Sequence, residues 1–347
     1  MTTTFGYGMI SAQHDPRDAR SDTAIYADVL DLCAAAERLG FDAVWLSEHH
    51  FVDDGYMPSL LPVAAAIAAR TTRVQIGTGV LIAPLHDPLR LAEDAATVDL
   101  LSAGRLVLGL GAGYRDEEFA GFGQDKAALG VVMDETLTLL HTAWAGRPVR
   151  HRGAEVLLRP RPHRNGGPPI WLGARSGPAI RRAARLADGL LAARVTPEQF
   201  AAQVRVLDEA LATVGRDPAE VTVSVHCPVF AWPGPGAWPL VEPHLFYSEW
   251  KYQDMVGTPY GQRAGQSPVP PTPTAPPALT DQAREKLRVG ALVGSPAEVA
   301  RVIGAYAAGA GPHPFHFVAR LYWPGMDPAL MREAMAVFAA EVMPAVG

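Results

Sequence analysis

The 347-residue chain predicts a (β/α)8 TIM barrel on three observations. Strand-like and helix-like segments alternate along it, eight strands with about as many helices. The helices are long enough to return each strand parallel to the one before. Ionisable residues collect where the predicted strands end, as in Glu48-His49-His50, and barrel enzymes carry their chemistry at that rim. A doubly wound open sheet shares the alternation, but the eightfold count and the length favour the barrel, as one domain over 1–347.

Strand 1 is the apolar run Thr4 to Ile10, and a polar loop leads to a helix from Thr23 to Leu39. That helix carries Ile25, Val29, Leu32, Ala36 and Leu39 at helical spacing, and Gly40 stops it. Strand 2 is Phe41 to Leu46, β-branched and aromatic without Pro or Gly, and it runs straight into Ser47-Glu48-His49-His50-Phe51. A helix from Pro58 to Arg70 precedes strand 3 (Arg73 to Val80), and one from Pro88 to Ser102 precedes strand 4 (Arg105 to Leu110). Asp125 to Ala145 reads as a helix and His151 to Arg159 as a small hairpin or excursion. Then come strand 5 (Pro169 to Leu172), a helix (Gly177 to Ala187), strand 6 (Gly189 to Ala192), a helix (Pro197 to Val214) and strand 7 (Val221 to Phe230).

The pattern fails over 231–287, a Pro- and Gly-rich insertion with many aromatics and a polyproline-like stretch at 268–277. Long insertions of this kind are lids or disordered loops, and this one is a candidate active-site lid over the strand 7 rim. Ser295-Pro296 caps a further helix, Phe315 to Leu321 is strand 8, and Asp327-Pro328 caps the last helix.

A net charge of −6 without a Lys/Arg run argues against nucleic acid as a partner. Cys33 and Cys227 lie in apolar patterns and read as small buried residues. The first ten residues lack a signal-peptide pattern, and no apolar run reaches the ~18 residues of a membrane span, so a cytoplasmic protein is expected.

Neighbouring residues on a strand face opposite ways, so His49 and His50 are poorly placed to share a metal ion, and no second cluster has ligand spacing. Histidine suits general acid–base work near neutrality better, and a packed or solvated structural histidine is the plain alternative. Gly109-Leu-Gly-Ala-Gly113 departs from the dinucleotide spacing; at a barrel rim, Gly111 and Gly113 would let backbone approach a ligand. Ile170-Trp-Leu-Gly-Ala-Arg-Ser-Gly-Pro178 runs strand, turn, helix start. Its free N–H groups, the Ser176 hydroxyl and Arg175 would form an anion pocket for a phosphorylated cofactor or substrate, unless Ser176 is a plain helix cap. The rim is otherwise apolar, with Met9, Trp232, Trp250 and Trp323 near it, and suits a partly hydrophobic organic molecule; Arg194 and Arg320 leave room for an anionic group.

Trp45-Leu-Ser-Glu-His-His-Phe51, Gly77-Thr-Gly-Val-Leu81, Asp99 to Leu106, Gly109 to Gly123, Pro169 to Gly173 and Val293 to Glu298, in that order, resemble the bacterial luciferase-like flavin-dependent monooxygenases. The resemblance covers about 5–230 and 288–345, and no motif in 231–287 matches. It implies a barrel that binds FMN non-covalently, receives it reduced from a separate reductase, and uses O2 to oxygenate a small organic substrate. It implies His49 as the catalytic base, with Glu48 or His50 in support. It implies Gly173, Ala174, Arg175, Ser176 and Gly177 as the phosphate site, and Thr78 and Gly79 beside the isoalloxazine, with a non-proline cis peptide nearby. Tyr114 would flank the phosphate; by strand-end topology, apart from the resemblance, Met9, Arg320 and Trp323 would face the substrate. A homodimer is implied too. A sister group of the same fold uses the deazaflavin F420 in hydride transfer, which is the alternative reading. A non-catalytic flavin-binding barrel is the third, against which the Glu48-His49 pair speaks.

Overall fold

The computed structural model describes residues 3–257 and 275–347. Eight parallel strands close on themselves: β1 Thr3–Ile10, β2 Ala43–Leu46, β3 Gln75–Thr78, β4 Leu106–Gly111, β5 Ile170–Gly173, β6 Gly189–Ala193, β7 Thr222–Ala231 and β8 Phe315–Arg320. Each pairs with its neighbours in sequence order, and β8 pairs back onto β1 in the register Thr3↔Phe315 to Gly8↔Arg320. The barrel expectation stands, and the open-sheet alternative falls with that closing pair.

Alternation along each strand sorts side chains between two cores. On β8, Phe315, Phe317 and Ala319 pack outward under the helices, while Val318 joins Met9, Ala43, Trp45, Val107, Trp171 and Leu191 inside the barrel. Trp45 fills the lower lumen, and Gly6 and Gly77 make room for it: a Cβ on either would come within 2.6 and 2.4 Å of the indole. The indole N–H of Trp45 donates to His316 Nε2 at 2.9 Å. Burial drives the His316 pKa down to about 3, so its ring is neutral and free to accept that bond.

The connecting helices are α1 Asp22–Leu39, α2 Leu60–Arg70, α3 Pro88–Leu101, α4 Asp116–Gly121, α5 Leu129–Trp144, α6 Gly177–Leu186, α7 Pro197–Val214, α8 Ala237–Gly257, α9 Asp281–Gly290, α10 Pro296–Gly309 and α11 Pro328–Val337. Three departures from expectation matter. Strand 3 ends at Thr78, and the chain then crosses the rim to add a short strand, Leu81–Ile82, beside β4. The short helix α4 was not expected; its first turn holds Asp116, Glu117 and Glu118, which suit the positive end of a helix. The 231–287 insertion contains a 21-residue helix, α8, despite Pro243 inside it. Pro239 falls in the first turn, where a proline costs little. Burial of Val241, Leu245, Tyr247 and Met255 offsets the bond lost at Pro243. The segment Leu292–Gly294 then pairs with the end of β7. The proline-rich stretch at 268–277 lies largely outside the described residues.

Cys33 and Cys227 are buried and unpaired, and burial pushes the Cys227 thiol up to about 12. Among the described residues no helix is long and apolar enough to cross a membrane.

Candidate active site

The two histidines after β2 take separate carboxylates. His49 Nδ1 lies 2.8 Å from Glu118 Oε1, and His50 Nε2 lies 2.7 Å from Glu48 Oε1. The alternation that separates His49 from His50 puts Glu48 on the side of His50. The expectation that Glu48 or His50 supports His49 therefore fails in its detail: the supporting carboxylate is Glu118, from α4. Glu48 instead accepts from the backbone N–H of Ile82 at 3.2 Å and ties β2 to the crossing segment after β3.

Glu118 is fully buried. Burial alone would raise its pKa, but the His49 hydrogen bond, the backbone N–H of His50 and the charge of Arg115 more than offset this and hold the carboxyl below its usual range. An ionised carboxylate only accepts, so Nδ1 of His49 carries the proton and Nε2 is the basic nitrogen. Arg115 braces the pair by donating to His50 O at 2.7 Å and to Glu118 Oε1 at 3.3 Å. The other carboxylate oxygen, Oε2, is buried without a hydrogen-bond partner among the described residues. Glu48 is also held below the usual range: burial opposes this, and His50 and the nearby His86 outweigh it.

Aromatic rings wall the His49 ring. Tyr56 meets it edge-on at 4.8 Å, Tyr114 at 5.7 Å and Tyr252 of α8 at 6.5 Å between centroids. The Tyr114 hydroxyl is 3.5 Å from Nε2, long for a hydrogen bond. Tyr114 thus belongs to the wall around His49. Burial and Tyr252 raise its pKa far above the normal phenol value, so it stays protonated. Arg194 stacks over Tyr252 at 4.0 Å and grips Glu249 of α8 with two bonds of 3.0 and 2.9 Å. Further ties hold α8 down: Tyr247 donates to Asp54 at 2.9 Å, and the buried Lys251 pairs with Asp53 and with Asp254.

The remaining expected residues divide. Ser176 caps α6 in an extended conformation, but its hydroxyl makes no capping bond and is exposed along with Gly173 and Arg175, while Ala174 is buried. The first turn of α6, from Gly177, is therefore open to an anion. Gly79 borders the lumen beside Met9, with a cis peptide between Gly79 and Val80. Thr78 is buried and donates its hydroxyl to Gly109 O at 2.7 Å, which joins β3 to β4. A Cβ on Gly111 would meet Val80 at 2.4 Å, and one on Gly113 would meet Ile82 at 2.6 Å. These glycines make room for the crossing segment. Trp323, expected to face the substrate, is buried in the main core cluster, with its indole Nε1 unpartnered among the described residues. Arg320 ends β8, and His226 lies midway along β7. Glu118 lies in the Gly109 to Gly123 motif and in an acidic helix start, 69 residues after its partner, and neither points to His49.

A closed parallel barrel with a carboxylate-held histidine and an open helix N-terminus on one rim defines a barrel enzyme. The Luciferase-like monooxygenase family model matches residues 5–313, and the chain belongs to that family of enzymes. It is 31% identical over 165 residues to the oxygenase component of the flavin-dependent trigonelline monooxygenase of Acinetobacter baylyi, covering 46% of each chain. It is 32% identical over 241 residues to the F420-dependent glucose-6-phosphate dehydrogenase of Microbacterium testaceum, covering 64% of this chain and 68% of that one. The chain spans about half the length of the first curated relatives it matches, 49%, 46% and 52%. A monooxygenase from Streptomyces bottropensis shares the fold with a TM-score of 0.79 at 24% identity, covering 99% of both chains.

Proposed function

We propose that the chain is the oxygenating component of a flavin-dependent monooxygenase, which takes reduced FMN from a separate reductase and uses O2 to oxygenate a small, partly hydrophobic organic substrate. The observation that carries this reading is the His49–Glu118 pair, on the same rim as the uncommitted N-terminus of α6. The residues present fit FMN: the Ser176 hydroxyl and the first N–H groups of α6 would hold its phosphate, with Arg175 beside them, and Gly79 and Val80 would help to hold its ring. Bound in reduced form, FMN would supply electrons to O2.

The chain's own residues do the rest. His49 Nε2 takes and returns a proton at the reacting group. Glu118 stabilises the imidazolium that forms and keeps the ring in one tautomer. Tyr56, Tyr114 and Tyr252 exclude water from the chamber, and α8 acts as its cover.

A second reading, an F420-dependent oxidoreductase, is favoured by three relatives named as F420-dependent glucose-6-phosphate dehydrogenases, at 32%, 33% and 30% identity in turn. Parallel titrations with reduced FMN and reduced F420 separate the two. FMN is expected to bind at least tenfold more tightly and to support O2-dependent product formation. Tighter F420 binding, with substrate conversion that needs no O2, overturns the oxygenase reading.

A further inference from the structure

Arg320 ends β8, where alternation continues the inward series His316, Val318, Arg320. It shares the chamber of His49: its electrostatic neighbours are Tyr56, Arg194, Glu249 and Tyr252, and two of these wall the His49 ring. Its guanidinium makes no hydrogen bond or ion pair among the described residues. Its Nε is fully buried without a partner, and the residue as a whole stays partly accessible. A guanidinium has five N–H donors, and leaving them unmatched away from water is costly unless something else occupies them.

The charges nearby are already assigned. Arg194 is matched by the two oxygens of Glu249. His226 is kept neutral, its pKa held near 3 by burial and then by Arg320 and Arg194, and its Nδ1 also lacks a partner. One uncompensated positive charge therefore faces the chamber. A dianionic phosphate ester calls for more than one cation, whereas a single fork of parallel N–H groups matches the two oxygens of a carboxylate. Beside these charges Arg320 has the aromatic rings of Tyr56 and Tyr252, and one inward step down β8, Val318 belongs to the apolar cluster of Met9 and Val80.

We infer that the substrate of this chamber is a hydrophobic monocarboxylate, its carboxylate gripped by the unpaired guanidinium of Arg320 and its apolar body lying toward His49. This rests on the reading of the chamber as the substrate site, and it names the class of molecule bound there.

The test uses benzoate as probe and neutral benzamide as control, with the full chain in calorimetric titrations at neutral pH. Benzoate should bind saturably and at least tenfold more tightly than benzamide. Arg320→Met should weaken benzoate at least tenfold and leave FMN affinity within about threefold of wild type. Arg320→Lys, which keeps the charge but not the fork, should fall between. No saturable benzoate binding, equal affinity for benzamide, or wild-type benzoate affinity in Arg320→Met overturns the inference. So does loss of FMN affinity alone in Arg320→Met, which would assign the arginine to the cofactor. Because benzoate binding is read without turnover, it stands or falls separately from the FMN and F420 titrations.

Discussion

Glu118→Ala should lower stability by about 3 kcal/mol, the range for removing one member of a buried charged pair, and turnover by about 100-fold or more, the range for losing acid–base function. One carboxylate oxygen meets His49 Nδ1, the His50 backbone N–H and Arg115 at 2.8, 3.0 and 3.3 Å. Alanine leaves all three donors facing a void, with Arg115 buried and less compensated. Glu118→Gln separates the two effects. Its carbonyl can still accept these bonds, and its amide would take the place of the unpartnered Oε2. The fold should therefore hold while turnover falls, because the charge that steadies the imidazolium is gone. The pH dependence has a definite sign. The pKa of Glu118 is depressed by folding, so its contribution is fully present above the unfolded value of about 4.3 and is lost as pH falls through the lower folded value. Chemical denaturation of wild type and Glu118→Gln should thus converge in stability as pH drops below about 4.

Lys251→Met should cost a similar amount, about 3 kcal/mol, and the loss should be localised. The Lys251 side chain is 1% exposed, pairs with Asp53 and Asp254, and lies 5.2 Å from the Trp250 ring. It is the buried cation that fastens α8 to the loop after β2. That loop also carries Asp54, which receives Tyr247 of α8 and Gln13 at 2.9 and 2.7 Å. Burial raises the Asp54 pKa and the Asp53 charge adds to the rise, while Gln13, Lys251 and Tyr247 oppose it. Without the lysine the two carboxylates repel each other, and α8 should open first. Native-state amide exchange should show faster exchange in 240–255 of Lys251→Met, with the barrel strands unchanged. Uniform acceleration across the barrel would mean that α8 is not a separate cover.

The barrel was legible because each strand and helix carries its own period and because caps such as Ser295 and Asp327 stand in plain sequence. The Glu48-His49-His50 rim was legible for the same reason, since a strand that ends in ionisable groups breaks its own pattern. The partnership of His49 was not. Glu118 reaches it across three strands' worth of chain, and an acidic helix start reads locally as dipole matching. Gly111 and Gly113 read as ligand contacts from rim position, and Thr78 from the family resemblance. Packing of Val80 and Ile82 against those glycines is a second reason for glycine there, one that the local sequence does not show. Helix α8 was hidden by its prolines, whose cost is outweighed by long-range burial that no local window records.

The central claim is that His49, aligned by Glu118, moves a proton in flavin chemistry on this rim. The direct test is His49→Ala, loaded with FMN and measured for both flavin affinity and product formed per O2 consumed. The account expects FMN affinity within about threefold of wild type and product formation lower by about 100-fold or more. Wild-type product formation in the variant would contradict it.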